Sequence, residues 1–125
     1  MKPGHSGFAR LLYATRWSLR GLRAGWRNEA AFRQEVLLLV VLLPLSLLLA
    51  RDAVQWLLLI LPLLVLLTVE LLNSAIEAAV DRIGSDFNEL SGRAKDLGSA
   101  AVFICLLASA LSWLAIGYQN LYGHA

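Results

Sequence analysis

Five residues in one stretch, Glu70, Asn73, Ser74, Glu77 and Asp81, have the types and the spacing to do chemistry together. At about 100° per residue, the last four fall within about 60° of Glu70 on a helix, so they form a single polar face. Leu72, Ala79 and Ile83 lie on the other side. Several carboxylates on one face repel one another unless a proton or a cation intervenes. Such a face therefore suits proton transfer, in which one carboxylate acts as general base, or the binding of a cation. The structural alternative is that the acids are satisfied by Arg82, Arg93 and Lys95, with Asp81 pairing with Arg82 or Arg93.

A second polar group, Asn28-Glu29 with Glu35, precedes a long apolar run. Oxygen ligands without cysteine or clustered histidine favour a hard cation, so magnesium is expected over zinc, with Glu29 and Glu77 at matching depths to hold it. Magnesium usually takes one or two carboxylates and completes its shell with substrate phosphates. Lys95-Asp96 falls at the start of the last apolar segment, where a lysine beside a helix N-terminus favours a phosphate group. A snorkelling interfacial lysine is the plainer reading of the same residue. The single cysteine, Cys105, excludes a disulfide within one chain and a cysteine zinc site. Neither a GxxxxGK[ST] loop nor a GxGxxG turn is present, so ATP, if used, is held without either of these soluble nucleotide-binding motifs. His5 and His124 lie in the terminal segments and are read as bystanders.

The elements that must position these groups are membrane helices. The chain is 58% hydrophobic and 16% charged, against about 25% charged for a soluble domain. Residues 36–50 and 53–69 are almost entirely apolar, and residues 97–125 contain no Asp, Glu, Lys or Arg. A span needs roughly 20 apolar residues, so the first two runs must extend into their polar neighbours. The expected architecture is all-α within a single domain over 1–125. It comprises a surface helix over about 6–27 and three spanning helices over about 29–50, 53–83 and 91–121. Ser91 is the expected cap of the last helix and Gly84 the end of the one before it.

Lys2, Arg10, Arg16, Arg20, Arg23, Arg27 and Arg33 precede or open the first span, and Arg82, Arg93 and Lys95 lie around the second connection. The positive-inside rule places both regions in the cytoplasm and the C-terminus outside. Residues 1–27 lack the apolar core and cleavage site of a secretory signal. On a helix, Leu11, Leu12, Thr15, Leu19, Leu22 and Trp26 gather within about 60° of Phe8, with arginines on the flank, the pattern of a helix lying among headgroups. Glu70 lies about 27 Å of helix beyond Asp52, which puts it just inside the cytoplasmic boundary of a core about 30 Å thick. A lipid headgroup and a cytosolic solute can both reach that level.

The strings NEAAFRQE (28–35) and VELLNSAIEAAVDRIGSDFNELSGRAKDLGSAAV (69–102), with GFAR (7–10) and GLRAGW (21–26), closely resemble the prokaryotic diacylglycerol kinase family over nearly the whole chain. The resemblance implies a bacterial inner-membrane homotrimer of three-span protomers, with active sites shared between neighbours. Its implied activity is phosphorylation of a membrane lipid alcohol by magnesium-ATP. It implies Glu70 as the general base, Glu29 and Glu77 on the metal, Lys95 and Asp96 on the nucleotide, and Asn73 as support. Arg10 is implied near both substrates, and Ala31, Glu35, Ser99 and Trp113 match positions lining the lipid site.

The chain departs from that pattern at Trp17, where a Tyr is familiar, at Asp86-Phe87-Asn88, where Glu-Tyr-His is familiar, and at Tyr13, where a Lys is familiar. Trp17 and the 86–88 turn are implied to flank the nucleotide base. Pro44 and Pro62 interrupt spans that often lack proline and can bend them. Diacylglycerol is the expected substrate and undecaprenol the alternative. Two readings of other classes are a small proton- or cation-coupled transporter and a membrane scaffold without catalysis. A transporter would place its carboxylates nearer mid-bilayer, and a scaffold would tolerate loss of Glu70, Glu77 and Lys95 together.

Overall fold

The structure, a computed structural model, describes residues 6–123, so Lys2, His5 and His124 lie outside the described residues. It contains four helices: α1 (Gly7–Asn28), α2 (Ala30–Leu49), α3 (Ala53–Ile83) and α4 (Glu89–Leu121). The last three are long and apolar enough to cross a membrane, which marks the chain as an integral membrane protein. α3 is the central element, packing chiefly on α4 and then on α2.

The boundaries have local causes. Asp52 caps α3, its carboxylate accepting the Gln55 N–H at 2.8 Å. Gly84 ends α3 as expected. α4 begins earlier than expected: Asn88, rather than Ser91, is its cap, with Oδ1 accepting from the backbone N–H groups of Leu90 (2.9 Å) and Ser91 (3.1 Å). Asn and Ser are comparable caps, and the first to offer its side chain to two free N–H groups starts the helix. Only the extended residue Glu29 separates α1 from α2. Arg33 reaches back over this joint, its guanidinium donating to the carbonyl oxygens of Trp26 (2.8 Å) and Arg27 (3.3 Å). A cation on the open carbonyls of a helix end is favourable through both hydrogen bonding and the helix dipole. Pro44 lies inside α2 and Pro62 inside α3, and each helix continues through its proline.

The core of the single chain is small. Ile60, Leu63 and Leu66 of α3 are its centre, with Leu39, Leu42, Trp56, Val102, Cys105 and Trp113 packed around them. Most of the remaining large apolar side chains point outward, as expected where lipid or another chain is the neighbour. The far ends of the three spans are tied by amides. The Asn120 side chain donates to the Leu49 carbonyl and to Gln55 Oε1, both at 2.7 Å, and Arg51 donates to the Asn120 carbonyl. Asn120→Ala removes two of these bonds. It is expected to lower stability by about 1 kcal/mol, measurable by denaturant titration in detergent. Turnover is expected to be unchanged, because Gln55 lies about 22 Å of helix from Glu70.

Candidate active site

The polar face of α3 is assembled around one amide. Asn73, 8% exposed, and Glu70, 4% exposed, are both buried. Asn73 Nδ2 donates to Glu77 Oε1 at 3.1 Å and, over a longer 3.4 Å, to Glu70 Oε2. The two carboxylates, one turn before and one turn after, are thus held by a single donor group. The spacing of 3 and 4 residues permits this only on a helix. From α2, half-buried Glu35 brings its carboxyl beside that of Glu70, and its Oε1 has no hydrogen-bond partner. The site is therefore acceptor-rich, with Asn73 as its one amide donor to the acids.

Behind Asn73 runs α4. Gly98 is buried there, and a Cβ placed on it would stand on the Asn73 side-chain oxygen. That oxygen has no conventional donor.

Glu29 stands at the α1–α2 joint, half-buried, beside a cleft of about 590 Å³. The cleft separates α1, with Ser18, Gly21 and Gly25, from α3, with Leu71, Ser74 and Ala78. α1 approaches closely at Gly25, where an added Cβ would lie 3.0 Å from Leu71. Ser74 thus faces α1, and its buried hydroxyl has no partner.

A smaller pocket of about 190 Å³ lies at the α3–α4 turn and is lined by Asp81, Asp86, Phe87, Asn88 and Lys95, among others. It brings together four of the residues expected at the nucleotide. Lys95 Nζ is 2.7 Å from Asp81 Oδ1. This corrects the expected pairing of Asp81 with Arg82 or Arg93. Arg82 points about 100° away from Asp81 on α3, and Arg93 lies about 160° around α4 from Lys95, whereas Asp81 and Lys95 face each other across the turn. Asn88 spends its side-chain oxygen on capping, and Phe87 is 96% exposed.

The other expected site residues are not gathered here. Arg10, Ala31, Asp96 and Ser99 are exposed on their helices. Trp17 is half-buried on α1 with the Arg20 guanidinium 4.9 Å over its ring. Arg10 is about 28 Å along α1 from Glu29. Trp113 donates from Nε1 to the Leu59 carbonyl at 3.0 Å, a level about 16 Å of helix from Glu70. Arg33 and Gly98 carry no mark in the sequence as site residues. Their partners, across a joint and on a neighbouring helix, are invisible to periodicity.

Among the described residues no three of His, Cys, Asp and Glu group into a metal cage. Glu29 and Glu77 together offer oxygen donors only, and the bond to Asn73 engages one Glu77 oxygen. This donor set fits a hard cation that completes its shell with water and substrate phosphates.

Three membrane-spanning helices, with a buried carboxylate and amide toward one end of α3, define a helical membrane protein with a polar site built into its spans. Comparison with known proteins gives the class a family. Residues 16–117 match the model for prokaryotic diacylglycerol kinase. A diacylglycerol kinase of Escherichia coli strain K12 is 50% identical over 120 residues, covering 96% of this chain and 98% of that protein. One from Pseudomonas aeruginosa strain PAO1 is 50% identical over 113 residues (90% and 92%), and one from Haemophilus influenzae strain Rd is 45% identical over 108 (86% and 92%). The chain belongs to the prokaryotic diacylglycerol kinase family, and is thus an enzyme of lipid metabolism, a kinase embedded in a membrane.

Proposed function

We propose that this chain transfers the γ-phosphoryl group of ATP to the hydroxyl of diacylglycerol at the cytoplasmic face of the bacterial inner membrane, giving phosphatidic acid and ADP. The observation that carries the reading is the Glu70–Asn73–Glu77 run at the end of an apolar span, with Glu70 and Asn73 buried and Glu77 half-buried. The family's kinases supply the substrate class by their name.

In this reading the lipid stays in the bilayer with its hydroxyl at Glu70. The hydroxyl oxygen attacks the γ-phosphorus in line, the bond from that phosphorus to the bridging oxygen of ADP breaks, and the hydroxyl proton passes to Glu70. Phosphoryl transfer is mostly positioning and charge stabilisation. Asn73 orients both carboxylates, and Lys95 meets phosphate oxygens from the first turns of α4. Asp96, Trp17 and the 86–88 turn border the nucleotide. Glu29 and Glu77 would hold magnesium, which when bound to ATP neutralises charge on its phosphates. Ala31, Glu35, Ser99 and Trp113 line the lipid, Trp113 at a depth suited to acyl chain.

α1 is proposed to lie in the headgroup plane, and the N-terminus to be cytoplasmic and the C-terminus outside. The active unit is proposed to be a homotrimer with shared sites. Its support is that Arg10 and Glu29 are about 28 Å apart along one helix, so a site using both draws on two chains. The large outward apolar faces of α2, α3 and α4 leave room for such neighbours.

Purified protein with labelled ATP and magnesium is expected to phosphorylate diacylglycerol in preference to undecaprenol. Preference for undecaprenol would replace the lipid, and absence of transfer to either would reject the reading. ATP phosphates must compete with Asp81 for Lys95. Asp81→Asn is therefore expected to lower the KM for ATP, by a few-fold at most, because a solvent-exposed ion pair is weak. Initial-rate kinetics over an ATP series check this.

A further inference from the structure

A primary amide can be seated either way round. At Asn73 the nitrogen faces two carboxylates and the oxygen faces α4. Reversed, the oxygen would confront two anionic groups and the site would lose its amide donor. The observed seat requires something that accepts a bare, buried oxygen on the far side, since Asn73 Oδ1 has no N–H or O–H partner. Gly98 supplies it. Its missing side chain lets the α4 backbone come up against the oxygen, where a Cα–H is a weak donor and water has no room. Any Cβ at position 98 would overlap Oδ1 and also stand 3.2 Å from Asn73 Cγ. The amide could yield only by turning away from the carboxylates.

We propose that Gly98 is a positioning residue for phosphoryl transfer: its bare backbone seats the Asn73 amide so that the nitrogen holds Glu70 and Glu77 together. This rests on the carboxylate roles proposed above. Gly98 touches neither substrate and acts through Asn73 alone. α4 is thus the back wall of the α3 carboxylate pair, a relation that no spacing within α3 reveals.

The test is a double-mutant cycle on the full chain in detergent–lipid micelles, with radiolabelled ATP to measure slow turnover. Alanine is ordinarily the better helix former, so Gly98→Ala should fold. It is expected to lower kcat at least tenfold while the KM values for ATP and diacylglycerol stay within about twofold. Gly117→Ala, at an α4 position with open space around it, should keep full turnover. Asn73→Ala is expected to be slow by itself, and adding Gly98→Ala to it should change kcat by no more than about twofold. Wild-type kcat in Gly98→Ala, or a further tenfold loss in the double variant, overturns the proposal. Should Gly98→Ala fail to assemble, circular dichroism and size exclusion decide. Restored folding in Asn73→Ala/Gly98→Ala upholds action through the amide, and continued failure overturns it. Glu70→Gln separates the two levels of inference. If it is fully active, the underlying reading falls whatever the cycle gives. If it is inactive and the cycle additive, only the role of Gly98 falls.

Discussion

Glu70→Gln is expected to lower kcat by about 10²- to 10⁴-fold, the range for loss of a general base, or about 3–5 kcal/mol of barrier. Glutamine keeps the length of the side chain and an oxygen that can still accept from Asn73, and the contact it alters, at 3.4 Å, is the longer of the two Asn73 bonds. What disappears is the site for the lipid proton. At 4% exposure Glu70 is shielded from bulk water, and a water molecule cannot readily take its place. The change should therefore fall on kcat, with the KM values for ATP and lipid little altered. Glu70→Asp, which draws the carboxylate back by about 1.5 Å, should recover only part of the rate, since proton transfer needs hydrogen-bond contact. Initial rates on protein shown to be assembled as wild type are the measurement. Wild-type turnover in Glu70→Gln would remove the base from its assigned place.

The face that carries this prediction is legible in the amino-acid sequence because it is a property of one helix. Glu70, Asn73 and Glu77 share a side of α3 by the helical repeat alone, and the Asn73 bonds to both acids follow from spacings of three and four. The same holds for the bounds of α3, since Asp52 and Gly84 are local signals and Ala53–Ile83 lies between them. The start of α4 falls two residues ahead of its expected place because Asn88 and Ser91 are both competent caps. Which one wins depends on where the turn after Gly84 delivers the chain.

Relations between helices are not legible in this way. Gly98 against Asn73, Lys95 on Asp81, and the Arg33 guanidinium over the end of α1 each join residues that no single periodicity connects. Asn120 illustrates the same limit at the opposite end. In sequence it sits in an uncharged tail that reads as one apolar segment. In the fold its amide needs partners, and it finds them on Gln55 and the Leu49 carbonyl. A helical pattern states which side of an element is polar, and only packing states what that side meets.

Glu29 and Glu77 provide the second large effect, and the geometry predicts that they will differ. Both are proposed to hold magnesium, so Glu29→Gln and Glu77→Gln should each raise the magnesium concentration for half-maximal rate by tenfold or more, since one lost charged ligand exceeds about 1.4 kcal/mol. At saturating magnesium the two should part. Glu29 stands at the α1–α2 joint, with no bond to the Asn73 amide, so excess metal should restore most of kcat. Glu77 makes the shorter of the two Asn73 bonds, 3.1 Å against 3.4 Å. A glutamine there can be seated with its own NH₂ toward Asn73, two donors face to face, and in either seating the charge that strengthens the bond is gone. The amide loosens, and Glu70 loosens with it. Glu77→Gln should therefore remain about tenfold or more below wild type in kcat at any magnesium concentration. Magnesium titrations of initial rate at saturating ATP and lipid measure both quantities at once. Equal recovery of the two variants would show that Asn73 does not couple the metal carboxylate to the base. A Glu29→Gln enzyme that stays slow in excess metal would place Glu29 in the reaction itself.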